Sequence, residues 1–247
     1  MRYKNLARTL CVLLTPLMPM LAHAGANDYV TMPTVEQGER EIDFKWGTQK
    51  NRDGTSEAAT SMGLGYGVNA WWFSELYVQY KRPPGQTNSF DAWEWENRFQ
   101  LTETGKYPLD LGFILELERP KDRTEGYELT YGPLLQSEWG NAQGNLNLLI
   151  VHHVRASEDF NTELHYQGQL KYRQSPQFEW GIQAFGSMGQ WNHWAARTEQ
   201  EHKWGPAVFG KIRIGTHEAI KWNAAFLHGT SNATPTSTLR FQAEYEF

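Results

Sequence analysis

From about residue 40 to its last residue, the chain alternates apolar and polar side chains with a period of two, and no stretch of it sustains the 3.6-residue period of a helix. The clearest segment sets Leu109, Leu111, Phe113, Leu115 and Leu117 against Asp110, Glu116 and Glu118. The last strand closes on Leu239, Phe241, Ala243, Tyr245 and Phe247, interleaved with Arg240, Gln242, Glu244 and Glu246. Counting such segments predicts about twelve strands of near ten residues each. A chain patterned this way must be all-β, and each strand must shield one face from water.

The connections alternate in length. Long polar segments such as KNRDGTS, RPPGQTNS, RPKDRTEG and HGTSNATPT follow the odd-numbered strands, while mostly tight turns such as VNA, GNAQG and QSPQ follow the even-numbered ones. An even strand count with long loops at one end and short turns at the other is the pattern of an outer-membrane barrel, both chain ends lying on the short-turn side.

The start of the chain fits that location. Residues 1–24 carry a basic beginning (Arg2, Lys4, Arg8), an apolar stretch from Leu10 to Leu21 and the triplet Ala22, His23, Ala24. These features predict a secretory signal peptide cleaved after Ala24, leaving residues 25–247 as one barrel domain. The single cysteine, Cys11, falls within that leader, so the mature chain can form no disulfide, thiolate metal site or cysteine nucleophile. A net charge of -5 argues against nucleic acid as a partner. With a mean hydropathy of -0.63, the chain has no apolar run after the leader long enough for a transmembrane helix. Any membrane-spanning form must therefore be a closed barrel with outer-membrane lipid around it.

Alternation alone fits a water-soluble barrel or sandwich with the faces reversed. The charges decide against it. Glu94, Glu96 and Arg98 fall on one face of one strand, and a dry core could not take them. Tryptophans at predicted strand ends (Trp71, Trp72, Trp93, Trp139, Trp180, Trp204) suit interfacial girdles.

The closing strand, amphipathic and ending in Phe247, resembles the C-terminal signature of Gram-negative outer-membrane barrel proteins. That resemblance implies recognition of Phe247 by the barrel assembly machinery. More narrowly, MPTVEQGEREIDFKWG near the start and the ending EYEF are similar to a group of outer-membrane proteins described as components of an aromatic-degradation pathway.

With the apolar face outward, the inward positions of strands three to six are mostly acidic: Glu75, Glu94, Glu96, Asp110, Glu116, Glu118 and Glu128. Those of strands seven to eleven are mostly basic: Arg155, Lys171, Arg173, Lys203, Lys211, Arg213 and Lys221. Such walls would set a transverse field across the lumen. Twelve strands lie between a barrel filled by its own side chains and an open channel, so the same charges could instead pair across a closed interior. A hairpin centred near Asp159 would place His153 opposite His165 and Arg155 opposite Glu163. Two imidazoles without a third ligand are a hydrogen-bonding pair, so no metal is expected. A turn near Gly105 would place Glu94 opposite Glu116, with Arg98 on the same face to neutralise them. Gly63, Gly65 and Gly67 precede no helix, so they read as room for a neighbour inside the barrel.

The expected function is passage or binding of small polar or amphipathic solutes through a charged lumen, without energy coupling, cofactor or catalysis. About fifteen residues precede the first strand, so no plug domain is expected. One rival is a closed structural or adhesive barrel acting through loops such as GQWNHWAARTEQ. The other is an outer-membrane lipid hydrolase, which needs a histidine with a hydroxyl or acid partner; His202, His217 and His228 near strand ends have no serine spaced to join them.

Overall fold

In the computed structural model, residues 25–175, 177–216 and 218–247 are described. The proposed leader and His217 lie outside them. Among the described residues, twelve strands close into one antiparallel barrel in which each strand pairs with its sequence neighbours and the last pairs with the first. They are β1 (Arg40–Lys50), β2 (Ser56–Asn69), β3 (Trp72–Arg82), β4 (Ser89–Gln100), β5 (Asp110–Pro120) and β6 (Tyr127–Trp139), followed by β7 (Ala142–Val154), β8 (Glu163–Ser175), β9 (Phe178–Gln190), β10 (Glu201–Arg213), β11 (Ala219–Gly229) and β12 (Ser237–Glu246). Among the described residues, no helix is long and apolar enough to cross a membrane.

The period-two pattern is realised with the apolar side outward. Along β1, Glu41, Asp43, Lys45 and Gln49 are buried, whereas Ile42 is exposed. On β2, Leu64 is 68% exposed. Met62, Leu76, Trp95, Leu115, Ile182 and Phe226 are exposed as well. Surrounding such a surface with water would be unfavourable, and lipid removes that cost. Closure leaves no strand edge with unpaired backbone groups, the condition for crossing a hydrocarbon layer.

The seam between β1 and β12 is regular over ten pairs, from Glu41 opposite Glu246 to Lys50 opposite Ser237. Phe247 continues past it, its backbone N–H donating to the Arg40 carbonyl at 2.9 Å and its ring stacked on Tyr245 on the outer surface. The two-residue turns at 70–71 and 140–141 lie at the end that carries Arg40 and Glu246, the periplasmic end by the rule that outer-membrane barrels keep their short turns there. Longer loops such as 155–162, 191–200 and 230–236 cap the other, extracellular end.

Two registers differ from the sequence reading. In β7–β8, Leu149 faces His165 and Val151 faces Glu163, so His153 meets Glu128 of β6 and does not face His165. In β4–β5, Glu94 faces Glu118 and Glu96 faces Glu116. Each shift moves by an even number of residues, which keeps the inward set inward while changing its partners.

Candidate functional site

The lumen is not empty. Residues 25–39, expected to be a short lead-in, run through the inside of the barrel from the extracellular half to the periplasmic rim. At the upper end Lys203 donates to the Gly25 carbonyl at 2.6 Å and pairs with Asp28 at 3.1 Å. Arg240, 2% exposed, donates to the Asp28 carbonyl and to Asn223. Asn27 donates to Ser61 at 2.7 Å. At mid-height the Tyr29 hydroxyl donates to Glu96, and Asn147 donates to the Thr31 carbonyl at 2.9 Å. Lower down, Gln100 accepts from the Val35 N–H at 2.7 Å, and Gly38 and Glu39 bond to Gly67 of β2. A segment too short to be a domain therefore acts as a plug, because the barrel supplies the hydrogen bonds that its backbone cannot make alone.

Glycines make room for it. A Cβ on Gly47 would run into the Ala26 carbonyl, and one on Gly67 into the Glu36 carbonyl. Gly63 and Gly65 instead give way to Tyr77 with Glu75, and to Phe73, the inward aromatics of β3. This is the close approach for which the glycine run was read.

The segment divides the lumen into two cavities of about 740 and 690 Å³, with Tyr29 lining both. The outer one is lined by Glu94, Glu116, Glu118, Glu128, His153 and His165 among the residues singled out from the sequence. It carries eight acidic residues against the four permanent cations Lys45, Arg52, Lys81 and Arg82. The inner one is lined by Arg98, Lys171, Arg173, Lys211 and Lys221, and its six acids nearly balance five bases. Glu75 and Glu96 are buried in the wall between.

Two of the expected lumen residues are elsewhere. Arg155 lies beyond the end of β7, exposed and with a φ of 58° where the chain turns into its loop. Arg213 is the last residue of β10 and is exposed at the periplasmic rim. Alternation gives the side of a residue and says nothing of whether its strand continues that far.

Partners also differ. Arg98 turns to Glu41 at 3.5 Å and Glu96 at 3.4 Å, leaving Glu94 and Glu116 to other neighbours. Gln79 donates to both Glu94 and Glu118, the latter at 3.0 Å. Four cations of β8, β10 and β11 have an acid close by: Lys171 with Glu179 at 2.8 Å, Arg173 with Glu138 at 2.8 Å, Lys211 with Glu246 at 2.9 Å, and Lys221 with Glu246. His165 bonds to Glu163 at 2.9 Å, which also accepts from Ser187 at 3.0 Å, whereas His153 stacks on Phe160 and lies 3.4 Å from Glu128. His202 faces outward, accepting from Tyr166 and bonding to Gln200, and His152 bonds to Thr162.

Missed altogether was an apolar patch inside the barrel, where Val30 packs with Phe185, Ala207, Phe209, Ala225 and Leu227, and Met32 lies against it. Phe185, Phe209 and Leu227 occupy inward positions of strands that were expected to be polar there. The signal was present in the sequence as apolar residues on the wrong parity, but nothing pointed to an occupant that would cover them.

No family model matches the chain, and a comparison with curated proteins finds no match. Solved structures do match. An outer-membrane channel of Pseudomonas putida F1 aligns with a TM-score of 0.61 at 11% identity, covering 89% of this chain and 99% of that one. The KdgM porin, in complex with disordered oligogalacturonate, gives 0.56 at 7% identity over 84% of this chain and 98% of that one. The NanC porin gives 0.55 at 9% over 83% and 98%. The fold is thus that of an outer-membrane β-barrel, and the lipid-facing surface described above places the chain in that membrane.

Proposed function

We propose that this chain is a passive outer-membrane channel for small polar or amphipathic solutes, narrowed by its own residues 25–36. The observation that carries this reading is the pair of cavities meeting at Tyr29, a residue of a single segment that is held to the barrel wall mainly by side-chain hydrogen bonds. Displacing that segment would widen the connection between the cavities without unzipping a strand. The likeness to porins supports the same reading at the level of fold.

The weaker resemblance to aromatic-degradation outer-membrane proteins suggests that some solutes carry an aromatic ring, and the patch around Phe185 and Phe209 is what such a ring would meet. A polyanion like the oligogalacturonate of the KdgM complex suits this lumen poorly, because the outer cavity holds twice as many acids as permanent bases. Charge differs along the axis, acidic outside and nearly balanced inside. Phe247 belongs to assembly in this reading, offered to the assembly machinery and to lipid.

Planar-bilayer recording tests the proposal. The native chain is expected to give small or infrequent steps, and a variant with residues 25–36 removed behind the leader should give larger steps, as a twelve-stranded lumen cleared of its occupant is wider. Silence from both variants would sink the channel reading and favour the adhesive one, for which Trp191 and Trp194, exposed in the 191–200 loop, are the candidates. The two histidine–acid pairs, His165 with Glu163 and His153 with Glu128, line the lumen and so lie away from the lipid a hydrolase would act on, and a lipid hydrolysis assay on the same preparation tests that reading.

A further inference from the structure

The floor of the outer cavity already holds a cation. The ammonium of Lys45 sits 3.1 Å from the centre of the Tyr29 ring and 3.7 Å from that of Tyr77, with Asp43 at 3.3 Å. Two aromatic faces and a carboxylate form the kind of cage that takes an organic ammonium group in preference to a hydrated metal ion.

The cage has more negative charge around it than one lysine uses. Asp43, Glu75, Glu94 and Glu96 are the acidic neighbours acting on Lys45. Glu94, Glu96 and Glu116 bring one oxygen each within 4.8 Å of one another. Arg98 is engaged by Glu41 and Glu96, and Arg240, whose charge also acts on Asp43, donates to the Asp28 carbonyl and to Asn223. Glu75 is 2% exposed, and its Oε1 has no hydrogen-bond partner; that oxygen leans over Gly63 beside the Tyr77 ring that faces Lys45. Carboxylates so close together call for protons or for a further positive charge. The cavity above them, at about 740 Å³, has room for a small organic solute and opens among the extracellular loops.

We infer that the outer cavity is a binding site for organic ammonium ions, in which Lys45 is a tethered occupant that an incoming ammonium group replaces on the faces of Tyr29 and Tyr77. The inference rests on the channel reading for its place in transport, and it names the solute class as organic cations. Because Tyr29 belongs to the luminal segment, occupancy of the cage by a solute also acts on the contact that separates the two cavities.

The test is equilibrium binding, which does not depend on conductance, so a silent bilayer and a failed binding experiment are distinguishable. The barrel is purified in detergent and titrated calorimetrically with n-butylammonium, with butyrate and with calcium. Lys45→Met vacates the cage and should bind butylammonium at least about tenfold more tightly than the native chain, the gain expected when a competing tethered cation is removed from an aromatic site. Adding Glu96→Gln should cancel that gain. Lys45→Gln, which keeps a donor for Asp43, provides a second vacated cage should Lys45→Met not fold. An unchanged affinity in a folded variant, butyrate binding as tightly as butylammonium, or calcium taking the site in preference would each overturn the inference.

Discussion

Gly63 shows how much a single residue decides here. Its missing side chain is the space into which the Tyr77 ring and the Glu75 carboxyl lean, and without that space the cage around Lys45 could not form. Charge placement matters at the same scale at the periplasmic rim. Glu39 lies one residue before β1, and burial, followed by its hydrogen bond to Glu246, pushes it up to about 7 from an ordinary 4.5. The folded barrel therefore holds this proton more tightly than the unfolded chain does. That preference contributes in full below a pH of about 4.5 and is lost as pH rises through about 7. Glu39→Gln should flatten this part of the pH dependence, read as the urea midpoint across that interval; a slope unchanged by the substitution would show that other groups set it.

Among the elements, strands and the luminal segment obey different rules. A strand needs one face in lipid, so a charge placed there is costly wherever the hydrocarbon is deepest. Leu64, near the middle of β2 and 68% exposed, is such a place. Leu64→Arg is expected to lower the unfolding free energy in vesicles by about 2–4 kcal/mol, while changing conductance little. Residues 25–36 have no period to satisfy; they are held by polar side chains of many strands and by small residues beneath them. Gly47→Val places methyl groups where the Ala26 carbonyl lies, so it should push the segment off the wall. We expect larger or longer open steps in bilayers with an unchanged far-UV spectrum, and a native trace from Gly47→Val would show that the upper end of the segment does not limit passage.

For the whole molecule the decisive event is closure of β1 on β12. Ten residue pairs make that seam, and Phe247 extends it by one backbone hydrogen bond to Arg40. Half of the Phe247 ring still faces lipid, so deleting the residue should cost the assembled barrel only about 1 kcal/mol. Its loss is nonetheless expected to cut the amount of barrel reaching the outer membrane to a small fraction, while refolding into detergent proceeds as before. Equal losses in both settings would make Phe247 a stability residue and remove its assembly role. The same closure explains why the luminal segment is built in: it enters at the periplasmic rim beside the seam, and the wall closes around it.

Much of this architecture was legible without coordinates. Strand number, the outward set led by Leu111, Phe113 and Leu115, and the alternation of long loops with short turns all follow from period and turn chemistry, which are local properties of the backbone. The role of Gly63 and Gly65 was legible for the same reason, since a glycine on an inward face has to make room for something. The partners of those inward residues were not. Glu94 faces Glu118, and His153 faces Glu128, because register is fixed by turn geometry and by neighbouring strands, and a shift of two leaves every side chain on the same face. Still less could residues 25–39 be read as a plug, for their polar backbone finds its partners on strands distant in the sequence. The chain's own pattern determined that there is a barrel and which way its walls face; tertiary structure decided what fills it, because contacts across a lumen leave no period along the chain.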